Sequence, residues 1–233
     1  MEDTSAGYVS IGGRQVWVET RGESGSSILL LHGGLGSSDE MLVPLGPTLS
    51  RNHRLVAFDR GGHGRTPDTG AAFHYADMVD ETIAIIEHFG LASVDIVGWS
   101  DGGIIALLLA LKRPDLVRRL VPVGANYHHN GVVGADSAAA VGEAGNDAPP
   151  TLRDRVVRMW LTEPTLESGD LKAIAHPVLV MAGDRDMITL AHTGSMFEAL
   201  PAGQLAIVPG TTHWLIAEKP DLVARLILDF LEA

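Results

Sequence analysis

Residues 94–103 read Val94-Asp95-Ile96-Val97-Gly98-Trp99-Ser100-Asp101-Gly102-Gly103, and Ile104-Ile105-Ala106-Leu107-Leu108-Leu109-Ala110-Leu111 follows. A short apolar run leads into Gly98 and a long one leaves from Gly103. The first predicts a buried strand, the second a helix. Between them lies G-x-S-x-G, the pattern of a sharp strand-to-helix turn that lifts one serine hydroxyl above a sheet edge. Glycines flank the serine because the turn has little room for side chains. A serine at a helix start also lies near backbone N–H groups that favour negative charge. Ser100 is therefore a candidate nucleophile. Glycine-rich turns also carry serines without chemistry, so the reading needs partners for Ser100 elsewhere in the chain.

Outward from this turn, strands and helices alternate. Tyr8-Val9-Ser10-Ile11 and Gln15-Val16-Trp17-Val18-Glu19-Thr20 flank Gly12-Gly13 and predict a hairpin at an antiparallel sheet edge. Residues 28–31 and 55–58 are continuous apolar runs, as strands buried on both faces are. A helix over 38–49 is expected to be short or broken, because Pro44 and Pro47 fall inside it. Residues 75–89 carry Met78, Thr82, Ile85, Ile86 and Phe89 at helical spacing, and Gly90 ends the run. After Ser100 the helix ends near Arg113-Pro114, and residues 120–123 form a further strand.

Regularity breaks over 128–176. This stretch holds an Ala/Gly-rich run (131–145), then Pro149-Pro150, then a helix over 152–161 with Val156, Val157, Met159 and Trp160. Alternation resumes with a strand at 177–182, a helix at 190–200, a strand at 204–208 and a closing helix at 220–230. The pattern predicts an α/β fold, a doubly wound and mostly parallel sheet of about eight strands with flanking helices. The core domain is read over 1–127 and 177–233. The insert 128–176 is read as a small helical lid at the sheet edge where ligands bind in such folds.

Composition sets limits. The chain has 233 residues, 45% hydrophobic and 20% charged, as a single large globular domain requires. Its net charge of −12 argues against nucleic acid and anionic membrane surfaces as partners. With no cysteine, thiolate catalysis, disulfides and cysteine-ligated metal sites are excluded. The acidic start Met1-Glu2-Asp3-Thr4-Ser5 is unlike a signal peptide, and the apolar run 104–111 is far shorter than the ~20 residues of a membrane span. A cytoplasmic location is the expectation.

A serine nucleophile needs a base, an orienting acid and donors for the oxyanion. Among ten histidines, His213 stands directly after the last strand, in Pro209-Gly210-Thr211-Thr212-His213-Trp214, at the edge to which Ser100 points. His63, in Asp59-Arg60-Gly61-Gly62-His63-Gly64-Arg65, reads as part of a structural bend beneath the site. His176 precedes a strand, at its wrong end. The acid follows the strand at 177–182, in Gly183-Asp184-Arg185-Asp186-Met187. Asp184 and Asp186 both qualify, since residues two apart point the same way. One oxyanion donor is the backbone N–H of Asp101. The other comes from His32-Gly33-Gly34-Leu35-Gly36, with Gly34 favoured and Leu35 possible. That loop lacks the lysine and spacing of a phosphate cradle.

Taken together, His32-Gly33-Gly34, Asp59 to Gly64, Gly98 to Gly102, Gly183 to Asp186 and Gly210 to His213 resemble the α/β-hydrolase superfamily over nearly the whole chain. The resemblance implies a Ser100–Asp186–His213 triad with no metal or organic cofactor, and favours Asp186 over Asp184 as the acid. The elbow with Gly124-Ala125-Asn126 looks most like the valacyclovir-hydrolase type. There the aspartate beside the nucleophile helps recognise an amino group, a role that would fall to Asp101. The expected activity is cleavage of a small-molecule carboxylic ester. Alternatives are a carbon–carbon bond hydrolase or cofactor-free perhydrolase with the same triad, and a non-catalytic ligand receptor on the same scaffold. Leu35, Trp99, Asp101, His128, Trp160 and Trp214 are the expected pocket neighbours.

Overall fold

Leu29 and Leu31 face one layer of the core, while Ile28 and Leu30 face the other. That alternation is what a strand buried on both faces requires. The computed structural model describes residues 4–23, 25–133 and 149–233. Its strands are β1 Thr4–Ile11, β2 Arg14–Arg21, β3 Ser27–Leu31, β4 Arg54–Phe58, β5 Val94–Trp99, β6 Val117–Val123, β7 Val178–Gly183 and β8 Gly203–Val208. They form one eight-stranded sheet in the order β1-β2-β4-β3-β5-β6-β7-β8. β1 and β2 form the expected hairpin, closed by Ile11 opposite Arg14, and β2 runs antiparallel to β4. Every later pairing is parallel.

The helices are α1 Asp39–Leu49, α2 Tyr75–His88, α3 Asp101–Lys112, α4 Leu152–Trp160, α5 Ser168–Leu171, α6 Leu190–Ala199, α7 Leu215–Glu218 and α8 Pro220–Leu231. α2 and α3 cover one face of the sheet through Met78, Ile85, Ile104 and Leu107. α1 and α8 cover the other through Met41, Leu45, Val223 and Ile227. The architecture is the doubly wound one read from the sequence.

α1 corrects one expectation. It runs unbroken through Pro44 and Pro47 for 11 residues. Its buried residues Met41, Leu42, Leu45 and Leu49 hold one face against the sheet, while Val43 and Pro47 point outward. Each proline ring removes one N–H, which deprives the Glu40 and Val43 carbonyls of their helical donors. Burial of four large apolar side chains at about 1.5–3 kcal/mol each outweighs the two missing bonds.

Between β6 and β7 the described residues leave the sheet edge and return to it. His128 bridges Thr165, and Val132 bridges Ile188. α4 begins with a capping box, in which Thr151 and Asp154 exchange hydrogen bonds, and it buries Val156 and Met159. Most of the Ala/Gly-rich run lies outside the described residues. No helix among them is long and apolar enough to cross a membrane.

Candidate active site

The turn between β5 and α3 is built by exclusion. A Cβ on Gly98 would fall 2.2 Å from the Gly102 carbonyl oxygen, and one on Gly102 would fall 2.1 Å from that of Leu31. Only glycine lets α3 start this close to β3. Ser100 sits at φ 54°, ψ −119°, outside the regions that side chains favour. Its N–H donates to the Val123 carbonyl at 2.8 Å, so sheet and helix together impose the strained conformation.

His213 Nε2 lies 3.0 Å from Ser100 Oγ, and His213 Nδ1 lies 2.7 Å from Asp186 Oδ1. With Asp186 ionised, Nδ1 carries the proton and donates to it, and Nε2 accepts from the serine hydroxyl. Asp186 Oδ1 also accepts the Ile188 N–H at 3.0 Å, which fixes the carboxylate. Asp184, the other candidate acid, turns away. It accepts the Thr211 N–H at 3.0 Å, and hydrogen bonds from the Gly210–Thr211 backbone hold its carboxyl below the usual range. Asp184 thus braces the loop that carries His213. Trp99 braces the same loop from inside, its indole N–H donating to the His213 carbonyl at 2.8 Å.

Ser100 and His213 open on a cavity of about 620 Å³, and Asp186 lies buried behind the histidine. Gly34, Trp99, Asp101, Trp160 and Trp214 line it, as expected. Leu35 and His128 are not among its lining residues, which corrects two expectations. Leu35 adopts φ 59° and packs against the core layer beneath α2 and α3. His128 stacks on His129 at 4.4 Å, and it is His129 that reaches the cavity. Sequence reasoning missed Tyr75, Asn126, Val157, Glu163, Met187 and Ile188, which complete much of the wall. A separate hollow of about 400 Å³ beside Arg14 and Phe73 is lined by none of Ser100, Asp186 and His213.

Asp101 is only 2% exposed. Its carboxylate accepts from the Tyr75 hydroxyl at 2.8 Å and from the Trp160 indole at 2.9 and 3.1 Å. Burial pushes its carboxyl up, while the Arg60 charge and these hydrogen bonds pull the other way. Burial and Asp101 together keep the Tyr75 phenol protonated. Asp101 therefore ties the Trp160 wall to the elbow. Local donors occupy the carboxylate that an amine-binding role would present. Glu163 ties the same segment to α2 by accepting the Tyr75 N–H at 2.9 Å and by pairing with His74 at 2.6 Å.

The bend at 59–65 lies beneath the site. Asp59 accepts from Ser38 and Arg65, fixing the bend to α1. His63 is 2% exposed, and burial, aided by the Arg60 charge, lowers its pKa to about 4. A lowered imidazole pKa means that the unfolded chain binds a proton the folded chain refuses. Stability is then lost as pH falls from ~6.5 toward 4, by about 3 kcal/mol at pH 4 for this group alone. Urea unfolding at pH 7 and pH 4.5 should show a smaller acid loss in His63→Asn than in the parent. Equal losses in both proteins would rule His63 out as the source.

The family model for the alpha/beta hydrolase fold matches residues 27–143. Serine hydrolase BPHL of Homo sapiens is 28% identical over 255 residues, covering 96% of this chain and 85% of that protein. An sn-1-specific diacylglycerol lipase of Mus musculus is 25% identical over 248 residues, covering 88% and 80%. A meta-cleavage product hydrolase from Pseudomonas fluorescens superposes with a TM-score of 0.79 at 20% identity, covering 97% of both chains. With its matched sheet, elbow and flanking helices, this chain belongs to the alpha/beta-hydrolase fold family.

Proposed function

We propose that this hydrolase cleaves carboxylic esters of small molecules through an acyl-enzyme intermediate. The observation that carries the reading is the unbroken chain Ser100–His213–Asp186, whose first two members line a cavity of about 620 Å³. His213 Nε2 takes the proton from Ser100 Oγ as that oxygen attacks the ester carbonyl. Asp186 holds the tautomer and stabilises the imidazolium. The backbone N–H groups of Asp101, at the start of α3, and of Gly34 receive the oxyanion. Collapse breaks the ester C–O bond, and His213 returns the proton to the leaving alcohol. Water, deprotonated by the same imidazole, then attacks the acyl-serine and releases the acid.

Charge narrows the substrate. Among the described residues that line the cavity none is Lys or Arg, whereas Asp101 and Glu163 both are present. An acyl group bearing a carboxylate would be desolvated here without a partner. Uncharged esters fit best.

Intact mass after treatment with a fluorophosphonate tests the mechanism. The parent should gain one adduct and Ser100→Ala none. A folded parent without an adduct would remove the nucleophile and favour a receptor role. In a panel of p-nitrophenyl esters, neutral short acyl groups should outrun a hemisuccinate of similar length by about tenfold or more.

A further inference from the structure

Arg60 is the largest side chain wholly removed from solvent among the described residues. Its acceptors are carbonyls rather than carboxylates: Nη1 donates to His32 O at 2.6 Å and Nη2 to Gly33 O at 2.8 Å. Its Nε is buried with no hydrogen-bond partner. A buried cation whose hydrogen bonds go only to carbonyls is expensive even with the Asp101 and Glu81 carboxylates acting on it from farther off, and burial alone does not explain it. Its surroundings do. The two carbonyls belong to the glycine loop after β3.

The Gly33 carbonyl is gripped twice. His32 Nε2 accepts the Arg60 backbone N–H at 3.1 Å, so His32 Nδ1 carries the proton, and it donates to Gly33 O at 2.6 Å. Burial, with the Arg60 charge adding to it, holds His32 neutral, consistent with that tautomer. A trans peptide points its C=O and N–H in opposite directions. With the oxygen held from beneath by two donors, the N–H of the same peptide faces the other way. That N–H belongs to Gly34, which lines the cavity with Ser100, Asp101 and His213. Hydrogen bonds to a carbonyl also polarise its peptide and make the N–H a stronger donor.

We propose that Arg60 is a positioning residue for the oxyanion site. It fixes and polarises the Gly33–Gly34 peptide, so that the Gly34 N–H is aimed at the negative charge that develops on the substrate. It also places a buried positive charge behind that peptide. The inference rests on the ester-cleavage reading of the site.

Arg60→Met removes the charge and both donors at similar volume. In the folded variant kcat on a neutral p-nitrophenyl ester should fall about 10²-fold, with KM nearly unchanged, since the lost interaction strengthens only in the transition state. Affinity for phenylboronic acid, whose serine adduct is tetrahedral, should fall in parallel. A merely structural role would lower the melting temperature and move neither. Ethylguanidinium should restore part of the kcat of Arg60→Ala where ethylammonium does not. A folded Arg60→Met with parent-like kcat and boronate affinity overturns the inference. If Arg60→Met does not fold, Arg60→Lys decides. A kcat about tenfold down at constant KM supports the proposal, because one donor and the fork geometry are lost, and a parent-like kcat overturns it. A parent that takes up no fluorophosphonate and hydrolyses no ester fails at the ester reading itself, whatever the Arg60 variants do.

Discussion

Ser100→Ala is expected to lower kcat for a neutral carboxylic ester by about 10⁴-fold or more, because nucleophile, base and acid act as a unit. The folded state should hardly notice. Alanine keeps the Cβ and inherits the same φ of 54°, so the strain at the elbow is unchanged. Only one hydrogen bond, from Oγ to His213 Nε2, is lost. A net contribution of about 1 kcal/mol for such a bond shifts the melting temperature by about 2–4 °C in a chain of this size. Steady-state kinetics beside a melting curve give both quantities. Loss of activity with retained stability assigns the serine to chemistry. A kcat within tenfold of the parent would remove acyl transfer through Ser100 from consideration.

The elbow was legible in the sequence because its determinants are local. Strand, glycine, serine, glycine and helix follow one another within 20 residues of chain, and steric exclusion at Gly98 and Gly102 acts on immediate neighbours. The residues hydrogen-bonded in line with Ser100 were legible for a different reason. Each stands at the C-terminal end of its own strand, β7 for Asp186 and β8 for His213, and a parallel sheet brings all such ends to one edge. Pocket walls follow no such rule. Tyr75 opens α2, outside the apolar spacing from Met78 to Phe89 that marks the helix, so no sequence signal gives it a role. It meets Asp101 across 26 residues, and Trp160 meets the same carboxylate across 59. Leu35 was misplaced because a left-handed φ turns its side chain back to the core, and nothing in the residue type signals that. α1 was misjudged because proline propensity is local, whereas four buried contacts on its opposite face are not.

Arg60 shows the same limit from another side. In the sequence it belongs to a bend, and a bend is a structural feature. In the fold the bend lies under the glycine loop after β3, and its one buried cation reaches the carbonyls of that loop. Two motifs that read as independent thereby become one device, in which the second sets the geometry of the first.

Gly102→Ala should destabilise the protein more than any substitution of equal size on the surface. The new Cβ would lie 2.1 Å from Leu31 O and 2.6 Å from Leu31 C. These are backbone atoms of β3, and Leu31 is paired with Gly98 in the sheet, so neither partner can swing aside as a flexible side chain would. Relief requires α3 to retreat from β3, which opens the contacts of Ile105 and Leu109 in the core layer. Overpacking against rigid backbone belongs to the exceptional class of about 4 kcal/mol or more, a large share of a typical domain's stability. At 2–4 °C per kcal/mol, the melting temperature should drop by roughly 10–15 °C. Activity should fall with it, because the same retreat carries the Asp101 N–H away from the site. Gly194→Ala, in the middle of α6, supplies the contrast. A Cβ there meets nothing within 4 Å, so the helix should gain about 0.5–1 kcal/mol. Calorimetry of the two variants separates steric exclusion from the general effect of replacing glycine. A Gly102→Ala protein that melts within about 2 °C of the parent would mean that β3 and α3 are not locked together, and that the elbow is held by something other than close approach.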